Sequence, residues 1–259
     1  AETWNVPEGE CKAVLGTVKH EKSKRSLTYG QLCEKAAKLQ VPQDPPLKNE
    51  SEFRYIGKPM PRVDVPDKVR AKAVYGLDVN DGNVEGLKGM HYAVIAKPPA
   101  YGAKPLSFDQ KAAEQVKGVV KVFQIPQGIA VCATSTEAAL KGRDALKAQW
   151  DKGTIPDMDN AYIEKAMMED LDKPGAKVEE VGDAKKALAE AAKKVEATYF
   201  VPFVAHATME PLNCTAHVQN DRCDVWVPTQ GQTGCLGAAA GITKLPPGKI
   251  HIHTTFLGC

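Results

Sequence analysis

The stretch His206–Gln230, HATMEPLNCTAHVQNDRCDVWVPTQ, decides the fold of the C-terminal part of the chain. Residues 213–218 alternate small and branched side chains, and residues 224–227 form a β-branched and aromatic run. Between the two runs Asn220-Asp221 is a turn signal, and Pro228 ends the second run. The pattern therefore predicts a β-hairpin whose second strand stops at the proline.

A helix built almost entirely from small residues is predicted after the hairpin. The polar residues 229–232 lead into GQTGCLGAAAGI at residues 231–242. Each glycine costs about 1 kcal/mol relative to alanine in a helix, so the helix propensity of this segment is poor. Such a helix is typical of places where another group approaches the backbone closely. That group would be a helix, a sheet or a cofactor, and plain close packing is the simplest explanation.

The composition is that of an ordinary globular protein with a real core. The chain has 259 residues, of which 43% are hydrophobic and 25% are charged. The net charge is +2 and the basic residues are spread along the chain, which predicts neither a nucleic-acid partner nor binding to a membrane surface. The sequence has no run of eighteen apolar residues, so no transmembrane helix is expected. The first ten residues lack the pattern of a signal peptide, and we expect any such segment to lie upstream.

The cysteines give no metal or disulfide pattern. Seven are scattered along the chain without a CxxC spacing. This argues against a zinc ribbon, an iron–sulfur cluster held by this chain alone and c-type haem attachment. The odd number in so long a chain also argues against a disulfide framework. We therefore expect buried thiols.

Upstream of the opening stretch, strands and helices alternate without a strict strand–helix–strand repeat. A strand is predicted at residues 11–20 and a helix from about residues 28–30, while three prolines within residues 41–49 exclude regular structure there. The other predicted strands lie at residues 72–79, at 90–96, on both sides of the turn Pro126-Gln127-Gly128, and at 197–205 with a break at Pro202. The other predicted helices run from the Thr134-x-x-Glu137 capping box to Trp150, over residues 161–171, and onward from the Gly182-Asp183 cap. This mixture predicts an α+β fold rather than a doubly wound parallel sheet.

Two histidines near the C-terminus are candidate metal ligands. His251 and His253 fall on one face of a predicted strand, opposite Ile250 and Ile252. A metal site needs further ligands, and none stands nearby in the sequence. An exposed strand face is therefore the simpler explanation.

His206 and Glu210 are a candidate acid/base pair, because residues four apart meet on a helix. Pro202 and Pro211 argue against a regular helix there, so we interpret Met209-Glu210-Pro211 as structural.

Six segments carry a resemblance to a known family. They are HATMEPLNCTA (206–216), VWVPTQGQT (225–233), LPPGKIHIHTTFLG (245–258), RSLTYGQL (25–32), IGKPMPRVD (56–64) and KVRAKAVYGLDV (68–79). Through them the chain resembles the large, molybdenum-binding subunit of the xanthine oxidase and aldehyde oxidase family of molybdenum hydroxylases. Within that family it is most similar to the branch of isoquinoline 1-oxidoreductase beta subunits and aldehyde dehydrogenases. The likeness is collinear along the whole chain and corresponds to the N-terminal to middle part of such a subunit.

The resemblance implies an α+β architecture with an α/β-hammerhead domain and part of the molybdopterin-binding domain. Residues 1–50 would be an N-terminal piece of the molybdopterin-binding domain with a proline-rich arm, and residues 51–150 would be the hammerhead. Residues 151–192 would form a polar, helical connection. Residues 193–259 would begin the main part of the molybdopterin-binding domain and stop before its glycine-rich loop.

The resemblance also implies a cofactor-binding segment. The family's glutamine at the position of Gln230 donates a hydrogen bond to an oxygen ligand of molybdenum, and Gly231, Gln232 and Thr233 are expected to lie at the cofactor with it. The family's GGGFG-like loop would follow residue 258, where Cys259 stands in place of a second glycine, and its general-base glutamate lies far downstream. We therefore assign no catalytic residue and no metal ligand to these 259 residues, and expect them to be inactive alone and to hold no cofactor.

The resemblance implies that these residues are part of a longer chain. That chain would be an oxidoreductase that hydroxylates aldehydes or N-heterocyclic compounds with water as the oxygen source. Its cofactor would be molybdopterin cytosine dinucleotide, and its partner a small subunit with [2Fe–2S] clusters. The resemblance is compatible with both a periplasmic and a cytoplasmic location of the protein. The alternatives are a non-catalytic folded module that binds a partner subunit and a metal-binding protein that uses His251 and His253.

Overall fold

The computed structural model describes residues 1–155 and 158–258. The chain divides into two compact units, Ala1–Val63 and Asp64–Cys259, and each is described by itself. The helices and strands mix as an α+β fold requires, so the predicted fold class is confirmed. The finer domain boundaries stay a prediction.

The first unit contains an antiparallel three-stranded sheet followed by a helix. Its elements are β1 (Cys11–Val14), β2 (Thr17–His20), β3 (Arg25–Thr28) and α1 (Tyr29–Ala36). The single strand predicted at residues 11–20 is wrong, because Leu15 and Gly16 have φ of 48° and 76° and reverse the chain. Two consecutive residues with positive φ are the usual connection of a two-residue hairpin.

The predicted start of α1 is confirmed by a capping box. The Gln31 N–H donates to Thr28 Oγ1 over 3.2 Å, and the Thr28 N–H donates to Gln31 Oε1 over 2.9 Å. Residues 41–49 have no helix or strand, as their prolines predict.

The second unit begins with a helical turn and an antiparallel sheet covered by two helices. The elements are α2 (Val65–Lys68), β4 (Tyr92–Ala96), β5 (Pro105–Ser107), α3 (Gln110–Glu114), β6 (Val119–Ile125), β7 (Gly128–Ala133), α4 (Thr136–Ala145) and β8 (Gln149–Trp150). The sheet order is β4-β7-β6, and β5 pairs separately with β8. The core under the helices is fully apolar and includes Ala113, Val122, Ile129, Val131 and Leu146.

Two predictions in this region are wrong. The N-cap of α4 is Ser135, whose Oγ accepts from the Ala138 N–H over 3.2 Å, and the helix ends at Ala145 rather than at Trp150. Lys147, with φ of 44°, turns the chain so that Trp150 enters β8. The strand predicted at residues 72–79 is reduced to one bridge, because no neighbouring strand runs beside it.

Two further helices follow, α5 (Asn160–Asp170) and α6 (Ala184–Glu190). The first confirms the helix predicted at residues 161–171. The second has the predicted Asp183 cap but ends early, since Ala191 has already returned to extended backbone. No strand forms at residues 197–205, where the side chains lie exposed without a sheet to pack on.

A mixed three-stranded sheet lies in the C-terminal part of the second unit. It consists of β9 (Thr215–Val218), β10 (Cys223–Val227) and β11 (Ile250–Thr254), with α7 (Gln232–Thr243) between β10 and β11. β9 pairs with β10 antiparallel, which confirms the predicted hairpin. β11 pairs with β10 in parallel, so β10, α7 and β11 form a strand–helix–strand unit.

A buried carboxylate lies within this sheet. Asp224 is 7% exposed and accepts from Arg222 Nε and Nη2 at 2.5 and 2.9 Å. Its Oδ1 lies 2.7 Å from His253 Nε2, and the His253 ring stacks on Trp226 at 4.9 Å between centroids. The Arg222 guanidinium, followed by His253, holds the pKa of Asp224 well below its usual range, against the opposite effect of burial.

Across residues 1–155 and 158–258, every helix is too short or too polar to cross a lipid bilayer.

Replacing Asp224 by asparagine should destabilise the chain at neutral pH. Because the folded-state pKa is depressed, the ionised form contributes stability above the unfolded pKa of about 4, and this contribution is lost as the pH falls below it. We expect Asp224→Asn to lower the free energy of unfolding by about 1–3 kcal/mol at pH 7. Urea titrations from pH 7 to pH 2 should show the difference shrinking in acid. Asp221→Asn is the control, since Asp221 is exposed and lies 3.5 Å from Lys249, and equal losses for both variants would contradict the account.

Candidate cofactor-binding site

The four predicted site residues lie at one edge of the mixed sheet. Gln230 and Gly231 connect the end of β10 to α7, and Gln232 and Thr233 are the first residues of that helix. Because β11 runs parallel to β10, the two strands end at the same edge. Ligands of such units bind outside the carboxyl ends of the strands, and backbone N–H groups at the helix start favour anions.

Thr229 shapes the turn from strand to helix. Its Oγ1 accepts from the Gly231 N–H over 3.0 Å and from the Cys235 thiol over 3.4 Å. Gly231 then serves as the N-cap residue of α7. These contacts fix the backbone on both sides of Gln230.

The two glutamines have different surroundings. Gln232 Nε2 donates to the Thr229 carbonyl oxygen at 3.2 Å and to Thr254 Oγ1 at 3.3 Å, so it joins α7 to β11. Gln230 is exposed, and its amide has no hydrogen-bond partner among residues 1–155 and 158–258. Thr233 is exposed in the first turn of the helix. Of the four residues, Gln230 therefore holds a free amide donor at the strand end.

The glycines of α7 face open space. A Cβ added at Gly234, Gly237 or Gly241 would meet no described atom within 4 Å. The close approach predicted for this helix is thus not made by the described part of the chain. The open surface leaves room for another group against the helix backbone.

Glu210 lies beside the same edge, in an irregular segment. Its Oε1 accepts from the Leu77 N–H at 2.9 Å and from Asn213 Nδ2 at 3.0 Å, and its Oε2 accepts from the Gly258 N–H at 3.0 Å. Residues 206–213 form no helix, so His206 and Glu210 are not paired in the way that helical spacing would allow. The structural interpretation of Glu210 agrees with these contacts.

The two C-terminal histidines share the exposed face of β11. His253 is already engaged by Asp224 and Trp226. Within the described residues, no group of three His, Cys, Asp or Glu side chains could hold a metal ion. The metal-binding alternative therefore lacks a third ligand in this part of the chain.

The expectation of buried thiols is mostly wrong. Among the described cysteines Cys223 alone is buried, Cys33 and Cys214 are exposed, and the others are half-buried. Burial, followed by the neighbouring Asp224 charge, raises the pKa of the Cys223 thiol. Cys235 takes part in the site through its contact with Thr229.

Sequence reasoning missed part of the site. The sequence analysis assigns no functional role to Thr229, Thr254 or Asn213. Thr229 carried a local signal, because threonine hydroxyls often bond the backbone N–H two residues on. The partners of Glu210 carried none, since Leu77 lies 133 residues away.

Replacing Gly237 by alanine should stabilise the chain. Its Cβ would enter open space in a helix, so we expect the free energy of unfolding to rise by about 0.5–1 kcal/mol. Gly142 of α4 is the matched control, because its Cβ would lie 2.8 Å from both Val119 and Val131. Gly142→Ala should lower the stability by about 1–3 kcal/mol. Denaturant unfolding would contradict this account if Gly237→Ala were the more damaging change.

Comparisons with known proteins agree with this geometry. Residues 169–259 match the molybdopterin cofactor-binding domain family. The chain is 29% identical to isoquinoline 1-oxidoreductase subunit beta of Brevundimonas diminuta in an alignment over 309 residues. This alignment covers 100% of this chain and 38% of the relative. It is 29% identical to membrane-bound aldehyde dehydrogenase [pyrroloquinoline-quinone] of Gluconacetobacter polyoxogenes over 224 residues, which cover 82% of this chain and 28% of the relative.

The fold is also found in solved structures. The crystal structure of quinoline 2-oxidoreductase from Pseudomonas putida 86 superposes with a TM-score of 0.57 over 80% of this chain and 31% of its own, at 16% identity. The chain thus spans between 28% and 38% of the length of these two relatives. Together with the molybdopterin-domain match, these similarities confirm the predicted resemblance to the molybdenum-binding large subunits of the xanthine oxidase family.

Proposed function

We propose that this chain contributes part of a molybdenum-dependent oxidoreductase that hydroxylates aldehydes or N-heterocyclic compounds at carbon, with water as the oxygen source. The observation that carries the proposal is the free Gln230 amide at the end of β10, inside the residues that match the molybdopterin cofactor-binding domain. The names of the relatives, which include an isoquinoline oxidoreductase and an aldehyde dehydrogenase, support the two substrate classes.

The residues at the sheet edge fit a molybdopterin group. An unpaired amide faces solvent at Gln230, and the glycines of α7 leave the helix backbone open to approach. Backbone N–H groups at the start of α7 favour the phosphate groups that such a cofactor carries. When bound, the molybdenum centre supplies the oxygen-transfer and electron-accepting chemistry. We infer molybdopterin cytosine dinucleotide as the form of the cofactor.

In this arrangement the chain orients the cofactor. The Gln230 amide donates a hydrogen bond without competing as a metal ligand, since its nitrogen is neutral and not basic. Thr229 holds the backbone around Gln230, and Gln232 holds α7 against Thr254 of β11. The donor is therefore presented from a fixed loop between two strand ends.

Electrons would leave through a partner. We propose a small subunit with [2Fe–2S] clusters, because the seven cysteines of this chain lack the spacing with which a cluster is held. In this proposal, the electrons pass to redox centres that lie outside these 259 residues.

A second candidate function is a non-catalytic module that binds a partner subunit. It is favoured by the exposed apolar residues of segment 199–204, in which Tyr199, Val201, Phe203 and Val204 are between 75% and 88% exposed. Such a module would need no cofactor, so the two functions differ in a direct chemical test.

The proposed reaction predicts that oxygen from water enters the product. The native protein should convert an aromatic aldehyde or an isoquinoline in H2¹⁸O to a product that contains ¹⁸O, as measured by mass spectrometry. Replacing Gln230 by alanine should lower turnover by about 10–100-fold, the usual effect of losing a group that orients a metal centre.

The matched control is Gln219→Ala. Gln219 is an exposed glutamine next to the same sheet, and its amide lies 3.5 Å from His217 Nε2. Product without ¹⁸O would contradict the proposed reaction. Equal turnover in the Gln230 and Gln219 variants would contradict the role of Gln230.

A further inference from the structure

Glu210 receives three hydrogen bonds from three separate parts of the chain. The donors are the Leu77 and Gly258 N–H groups and the Asn213 side-chain amide, at 2.9, 3.0 and 3.0 Å. An ionised carboxylate is an acceptor only, and it accepts more strongly than a neutral group. One half-buried side chain therefore joins the segment before β4, the segment before β9 and the segment after β11.

Glu210 forms hydrogen bonds with both the N–H group and the carbonyl oxygen of Gly258. Besides the bond to the carboxylate, the Gly258 carbonyl oxygen accepts from the Glu210 N–H over 3.4 Å. A Cβ added at Gly258 would overlap the Cβ of Glu210. The segment after β11 is thus held in contact with Glu210. The space at position 258 fits the hydrogen atom of a glycine but not a Cβ.

The contact extends to the loop that carries Gln230. Asn213 donates both to Glu210 and to the Pro211 carbonyl oxygen, the latter over 2.9 Å. A Cβ added at Gly76 would overlap Asn213 and would lie 2.9 Å from Cδ of Pro228. Pro228 stands two residues before Gln230, so the contacts around Glu210 extend to the start of the loop that carries Gln230.

Backbone hydrogen bonds complete the junction. The Thr255 N–H donates to the Val227 carbonyl oxygen, and the Phe256 N–H donates to the Val74 carbonyl oxygen, both over 3.3 Å. The segments that leave β10 and β11 are therefore side by side, with residues 74–77 against both. Glu210 is the charged group among these contacts.

We propose that Glu210 is a positioning residue of the cofactor site, which fixes the chain after β11 relative to the Gln230 loop. The proposal rests on the proposed function and adds to it a group that acts through Gly258 and Pro228 without touching the cofactor. A carboxylate is needed because all three partners are donors. Glutamine has the same shape, but its amide nitrogen would face one of these donors.

The test compares Glu210→Gln with Glu196→Gln. Glu196 is exposed and has no hydrogen-bond or ion-pair partner among the described residues. In the native protein, hydrogen exchange of the Leu77 and Gly258 amides should accelerate about tenfold in Glu210→Gln alone. Its molybdenum and pterin content should fall about 10–100-fold relative to Glu196→Gln, as expected when the support of a metal site is lost.

The outcomes separate this proposal from the proposed function. Wild-type protein without molybdenum would overturn both. Wild-type protein with molybdenum, together with unchanged content and exchange in Glu210→Gln, would overturn the positioning role alone. Faster exchange with unchanged cofactor content would show that Glu210 only stabilises the fold, which also overturns it.

Gly258→Ala provides a second variant in case Glu210→Gln does not fold. It keeps the carboxylate but displaces the chain after β11, because the new Cβ would overlap Glu210. We expect the same loss of molybdenum and pterin. Full cofactor content in Gly258→Ala would contradict the proposal.

Discussion

The parallel pairing of β10 with β11 is the constraint on which the site depends. Parallel neighbours need a crossover between them, and here α7 provides it. The crossover places the Gln230 loop and residues 255–258 at the same sheet edge. Since β9 pairs antiparallel on the other side of β10, the loop leaves the central strand of the sheet. The position of Gln230 is therefore set by strand order before any ligand is considered.

Two carboxylates hold this arrangement in different ways. Asp224 lies within the sheet and is hydrogen-bonded to Arg222, just before β10, and to His253 of β11. Glu210 lies at the edge and accepts from backbone and amide donors of three segments. The first keeps the strands together, and the second sets where the chain runs after they end. Both are compensated by donors, as buried charge requires.

Local signals predicted the elements that depend on neighbours in sequence. The hairpin between Asn213 and Pro228, the cap at Thr28 and the helix after Gly231 all follow from turn, capping and spacing rules. The strand predicted at residues 72–79 failed because alternation alone cannot supply a pairing partner. The same holds for residues 197–205, whose apolar side chains stay exposed.

The site was only partly accessible from sequence. The family resemblance identified Gln230 as a site residue. That its amide has no hydrogen-bond partner among the described residues is known only from the structure. The strand–helix–strand order over residues 223–254 contained the signal for parallel pairing, whereas the partners of Glu210 lie 133 and 48 residues away. No local rule connects residues at such distances.

The most direct test of the account is the metal content of the native protein. The protein would be recovered from its source with an antibody against this chain, and molybdenum, iron and pterin would be measured per polypeptide. We expect about one molybdenum atom per chain, with pterin and co-purifying iron. A folded native protein without molybdenum or pterin would contradict the account.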